Sequence, residues 1–341
     1  MANNRIYYAC QAVQLRGPSG TELNPTTTPW DTIQGLQSVG MNTNFNLEPI
    51  YQLGQLDLYD NYEEIPEVEI TLNKVLDSSA TLYAMTMGSG TLVSLANNRC
   101  GARLVLYPDT NVKATGTPVA VVTCEPAYLS SVTYTFPTEG NATEEVTLVS
   151  NDKAWTQSLT ALSGAPEHDV PGNVGIIRRG LVNKAASTFP IGSGGGIPSG
   201  MAISNITISM NLGREQIREL GSRTPVVRYV NFPVEVTCEI QVVANNGDMV
   251  GVEGSSNTAC NNPKALTNKS IVIALCDGTV INLGGKNKLT SVNYTGGDTG
   301  GGNATITYSY QTYNEFTYSP PTGSPSNTLA YSEAVETGSE E

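Results

Sequence analysis

"LSSVTYT" at residues 129–135 and "LTSVNYT" at residues 289–295 spell nearly the same seven letters 160 positions apart. Their flanks agree. Residues 121–135, "VVTCEPAYLSSVTYT", align without a gap on residues 281–295, "INLGGKNKLTSVNYT". Both read as an apolar strand, a short turn and an alternating strand.

Working outward, Gly40-Met41 recurs as Gly200-Met201, and "YQLGQ" at 51–55 resembles "MNLGR" at 210–214, with Gly54 and Gly213 separated by 159. "PEVEIT" at 66–71 resembles "FPVEVT" at 232–237, which places Val68-Glu69 on Val234-Glu235 at an offset of 166. "NATEEV" at 141–146 resembles "NATITY" at 303–308 at an offset of 162. The matches keep their order and drift only as loops of unequal length allow, so the chain reads as one unit built twice. On this alignment the second unit carries an addition: Gly54 to Pro66 spans 12 positions, Gly213 to Pro233 spans 20. The added stretch, around Arg218 to Arg228, is basic.

The repeated unit is mostly strand. "VEITLNKV" at 68–75 and "VEVTCEIQVV" at 234–243 alternate apolar and polar residues, as half-buried strands do. "ARLVLY" at 102–107 and "SIVIAL" at 270–275 are more evenly apolar and read as central strands. Helix is scarce: "LGREQIRELG" at 212–221, closed by Gly221, and "SATLYAMTM" at 79–87 are the two candidates. The expected fold class is all-β with minor helix, as two tandem β-sandwich or partly closed barrel domains, residues 1–160 and 201–318. Residues 161–200 are rich in Gly and Pro, with "GSGGG" at 192–196, and carry Arg178, Arg179 and Lys184. They form either a flexible linker or an arm that orders against a neighbouring subunit. Residues 319–341 read as a mobile acidic tail.

Composition narrows the function. The net charge is 18 − 31 = −13, which argues against a general phosphate-binding surface. Only 14% of residues are charged, with small polar residues in their place, which suits strands and interfaces. "MANNRIYYACQAVQLRG" at the start has neither a long apolar core nor a cleavage site, and no apolar run reaches membrane-spanning length, so neither export nor a membrane is expected. Cys124, Cys238 and Cys276 lie in or beside apolar runs and read as buried thiols.

Chemistry is hard to find. His168 is the only histidine, so a two-histidine metal site within one chain is excluded, and in the loop-like "GAPEHDVPG" it reads as a solvated loop residue. "YDNYEEIPE" at 59–67 lacks the spacing of a calcium loop. Glu144 and Glu145 adjoin on a strand and point to opposite faces, so they do not pair as acid and base. "GSGGG" lacks the Lys and Ser/Thr of a phosphate loop. No enzyme site, metal or cofactor is expected.

Three stretches carry a resemblance: "IPEVEITLNKVLD" at 65–77, "YTFPTEGNATEEVTLVSNDKAW" at 134–155 and "LGREQIRELGSRTPVVRYVNFPVEVTCE" at 212–239. Together they resemble the major tail tube proteins of tailed bacteriophages, from about residue 40 to residue 318. The resemblance implies a virion protein made in the host cytoplasm. Its sheets would join those of sister subunits around a ring, its rings would stack with other tail proteins, and DNA would pass through the bore without being bound. Rings of this kind usually hold six tube domains, so two per chain imply three chains, 3 × 2 = 6. On this reading Glu69 and Glu235 occupy matching positions and face the bore or its rim. Arg178, Arg179, Lys184, Arg214, Arg218, Arg223 and Arg228 become candidates for subunit contacts. The alternatives are a capsid decoration or head–tail joining protein, then a secreted sugar-binding β-protein.

Overall fold

The computed structural model describes residues 6, 8–18, 29–77, 79–92, 97–108, 118–157, 175–191, 202–222, 225–245, 247, 250, 267–297 and 302–321. His168, Cys260, Arg223, "GSGGG" and residues 322–341 lie outside them. Of the described residues 56% are strand and 5% helix, so the fold is all-β as expected.

In the first half the strands are β1 (Gln11–Arg16), β2 (Asp31–Thr32), β3 (Leu36–Asn44), β4 (Leu47–Tyr51), β5 (Leu58–Glu63) and β6 (Glu67–Val75). They continue as β7 (Cys100–Leu106), β8 (Ala120–Pro137), β9 (Thr143–Ser150) and β10 (Ala154–Thr156), with one short helix, α1 (Leu82–Met87), before β7. Thr81 caps α1 by accepting from the Ala84 N–H at 3.3 Å, and Gly88 at φ 61° ends it. The second half runs β11 (Ala202–Asn211), β12 (Arg214–Ile217), β13 (Val227–Val230), β14 (Glu235–Val243), β15 (Val272–Ala274), β16 (Val280–Asn282), β17 (Lys288–Thr295), β18 (Thr305–Tyr313) and β19 (Thr317–Ser319). The helix expected at 212–221 is instead strand β12. So short a helix is marginal alone, whereas β12 finds backbone partners along β13.

The strand plan occurs twice. In the first half β3, β6, β9 and the C-terminal part of β8 pair in that order; in the second, β11, β14, β18 and β17 do the same. Even the irregularities coincide. The β3–β6 ladder shifts between Leu36 and Ser38, and the β11–β14 ladder between Ile203 and Asn205, 167 positions on. The β8–β9 ladder shifts between Leu129 and Ser131, and the β17–β18 ladder between Leu289 and Ser291, 160 positions on. A second layer repeats as well: β7, the N-terminal part of β8 and β10 correspond to β15, β16 and β19. Apolar side chains of both layers form one main core, including Ile70, Val132, Tyr134, Cys238, Ile273 and Tyr308.

Registers correct part of the alignment read from sequence. β6 matches β14 at an offset of 168, not 166, because Val234 is an extra residue after Pro233. Asn46, at φ 47°, is the counterpart of Gly213, at φ 48°. Each N–H is bonded by the Asn two residues before it, Asn44 at 3.2 Å and Asn211 at 3.0 Å. Gly54 instead sits at the tip of the β4–β5 hairpin. The second unit therefore has no insertion here: Asn46 to Pro66 and Gly213 to Pro233 both span 20 positions. The hairpins β4–β5 and β12–β13 are counterparts.

The halves differ inside. Buried Glu144 accepts from the Leu82 N–H at 2.6 Å, the Tyr83 N–H at 2.9 Å and the Tyr134 hydroxyl at 2.9 Å, fixing the start of α1 to β9. Lys74, also buried, bonds Asp77 at 2.6 Å. Their counterparts are Ile306 and Val242, both buried, so the charged groups of one core are apolar residues in the other. Glu144→Ala leaves three buried donors without their acceptor and is expected to cost about 3 kcal/mol, read as a lower denaturation midpoint at unchanged slope. Burial raises the Glu144 pKa above 4.5, against the pull of its donors and Lys74. The fold therefore favours the protonated form. This contribution is fullest below the unfolded value and declines as pH rises through the folded one. The stability advantage of wild type over Glu144→Gln is accordingly expected to shrink as pH rises.

Candidate functional surface

Two features stand out: an uncovered polar sheet face and the margins of that sheet. The eight strands run β3-β6-β9-β8-β11-β14-β18-β17, joined at the centre by β8 and β11. One face packs on the core. The other carries Thr71, Thr133, Thr147, Thr207, Thr237 and Ser309, with Asn and Gln between them and Glu67, Glu69, Glu145, Glu235 and Glu239. Neither Lys nor Arg stands on this face along the six inner strands, because alternation sends Lys74 into the core. Glu69, Glu145, Glu235 and Glu239 are exposed.

Glu69 and Glu235 thus share the face, but their expected equivalence fails. Glu67 is the counterpart of Glu235, and Thr237 that of Glu69, for the reason of the extra Val234. Glu145, placed opposite Glu144 from the sequence, and Glu239 also stand on this face, beyond the two acids expected there. The alternation of "TEEVTLVS" and "EVTCEIQVV", which marks Val146 and Ile240 as inward, contained the signal.

β3 pairs only with β6 and β17 only with β18, so among the described residues each has one open side, and the sheet is not closed into a barrel. The central joint shows what such a side accepts. β8 and β11 form seven antiparallel pairs, from Asn205 with Pro137 to Asn211 with Ser131, and the Thr133 and Ser209 hydroxyls meet at 3.3 Å on the polar face. The β12–β13 hairpin then lies back on the first half. Arg214 donates to the Leu129 carbonyl at 2.6 Å with its guanidinium 5.7 Å over Tyr128, and burial pulls its pKa down to about 10. Buried Arg228 meets Glu67 at 3.0 Å and Asn151 at 2.7 Å. Arg218 reaches Glu64 at 3.7 Å, an exposed pair of little energetic weight.

Expected to meet another subunit, Arg214 and Arg228 instead hold the two halves of one chain together, and Arg218 faces Glu64 of the same chain. Arg178 bonds Asn141 at 2.8 Å, while Arg179 and Lys184 are exposed. Their segment packs through Ile177, Phe189 and Ile191, bridging first to Asn141 and then to β15 through Thr188. Cys10, Cys100, Cys124 and Cys238 are buried, but Cys276, expected inside, is exposed on the turn after β15.

The large exposed apolar residues gather on both hairpins, with Ile217, Leu220, Val226, Tyr229 and Phe232 on or beside β12–β13. Phe45, Leu47, Ile50, Leu53, Leu56, Leu58, Tyr59 and Tyr62 lie on or beside the β4–β5 hairpin; Trp155 is on β10 and Tyr294 on β17. Among the described residues no three His, Cys, Asp or Glu are grouped to hold a metal ion. Compared with protein-family models and with curated proteins, the chain finds no match in either.

Proposed function

We propose that this protein is a structural subunit that polymerises through its sheet margins into a tube, the tail tube of a tailed bacteriophage, and that its polar face lines the bore. The scarcity of bases on this face, with none on its six inner strands and Lys288 at the β17 edge, is the observation that carries this reading. A wall of hydroxyl, amide and carboxylate groups repels phosphate and offers few cations to hold it, so DNA slides. Open strand edges are otherwise a hazard, and ring closure removes them. Three chains supply 3 × 8 = 24 strands to one wall, given eight per chain. Chemistry plays no part, and the virion tail is the site of action.

Negative-stain electron microscopy of the concentrated purified protein tests the reading. Hollow filaments are the expected result. Single rings or knobs that never stack favour a head–tail joining or decoration protein, and scattered monomers overturn self-assembly.

A further inference from the structure

The chain contains one worked example of its own joint, and we infer that the seam between two chains repeats it. In this seam β17 of one chain pairs antiparallel with β3 of a second copy. The second copy's β4–β5 hairpin takes the place that β12–β13 holds inside the chain. The inference rests on the self-assembly proposed above and specifies its surface and register.

Transposition by the observed offsets fixes the register. β8 becomes β17 at 160 and β11 becomes β3 at 167. Ser209 opposite Thr133 then becomes Asn42 opposite Asn293, and Ile208 opposite Tyr134 becomes Met41 opposite Tyr294. Exposure supports the transposition independently. Leu212 is buried at 0% in the internal joint, whereas its counterpart Phe45 is 63% exposed. Tyr134 is 0% exposed and its counterpart Tyr294 54%. The same holds in the second layer. β19 is flanked by residues 90–92, with Thr91 bridged to Thr317, while its counterpart β10 leaves Trp155 57% exposed. At Phe45, Tyr294 and Trp155, apolar surface is open where the internal joint covers the counterpart strand, as an unmade interface requires.

The chemistry of the two joints differs. Arg214 and Arg228 have Leu47 and Asn61 as counterparts, so the arginine clamp is not repeated between chains. In the place of Arg214 the hairpin brings the exposed Leu47 instead. Backbone pairing and the burial of Phe45, Leu47 and Tyr294 hold this seam. Assembly is expected to persist at about 1 M salt, where the Debye length is roughly 3 Å.

Cysteine cross-linking tests the register in full-length chains with Cys260 and Cys276 changed to Ser. Thr133→Cys with Ser209→Cys, within one chain, calibrates the yield. Asn42→Cys with Asn293→Cys is expected to link separate chains at a yield within about twofold of that pair, since both place Cβ atoms at bridging distance. Asn42→Cys with Lys288→Cys, about 17 Å out of register, is expected to fall at least tenfold lower. Cross-linked closed trimers that never form tubes uphold the seam and defeat the tube reading. Tubes that fail to cross-link at 42/293 overturn the seam and leave the tube reading standing. Monomers that link at neither pair overturn both.

Discussion

Phe45→Asp is expected to abolish assembly while leaving the single chain folded. Phe45 is 63% exposed in one chain, so nothing in the monomer core depends on it. Its counterpart Leu212 is fully buried where β11 meets β8. Burying a Phe side chain contributes about 2–3 kcal/mol, and a carboxylate in the same place costs several more. Each seam of a ring bears that penalty. At 1.4 kcal/mol per factor of ten, the concentration needed for assembly rises by more than about 100-fold. Sedimentation velocity reads the loss, and a melting temperature within about 2 °C of wild type shows that the monomer is intact, as for a surface change. Leu212→Asp is the contrasting variant: it places a charge in the internal joint and is expected to unfold the chain. Assembly of Phe45→Asp at wild-type concentrations would contradict the seam.

Reversing Glu69, Glu145, Glu235 and Glu239 to Lys is the second large effect. Four reversals change the charge by 4 × 2 = 8 per chain, or 24 in the proposed ring of three chains. All four side chains are exposed on the polar face, so the fold tolerates the change. Wild-type tubes are expected to leave duplex DNA free at about 0.15 M salt, because the acids on the face outnumber its bases and repel phosphate. The variant is expected to retain DNA, with an affinity falling as salt rises by roughly 0.9 log units per log unit for each phosphate contacted. In an infectious particle it would slow or stop genome delivery. Equal DNA retention by both proteins would separate this face from any bore.

Much of this was legible in the sequence, and the failures have physical causes. The offset of 160 for β8 and β17 and of 162 for β9 and β18 could be read directly, because turns and bulges hold those strands in register. β6 and β14 were misaligned by two residues because inward positions repeat every second residue. A slip of two keeps Val68, Ile70 and Leu72 on apolar partners. The first hairpin was misread through its glycines. The left-handed position that Gly213 fills is filled by Asn46 in the other half, and both residue types tolerate it. Glu144 and Glu145 were correctly placed on opposite faces, yet alternation cannot show that Glu144 fastens a helix 61 and 62 residues away in sequence. The basic character of Arg214 and Arg228 was plain. That their partners are Leu129, Tyr128, Glu67 and Asn151 of the same chain follows only from the strand order.

A three-dimensional reconstruction of the assembled protein by electron cryomicroscopy tests the central claim most directly. It is expected to show three chains per ring, β17 laid along the next chain's β3 with Met41 beside Tyr294, and the Thr- and Glu-bearing face turned towards a hollow axis. An assembly with that face outward, or with β3 and β17 left unpaired, would contradict it.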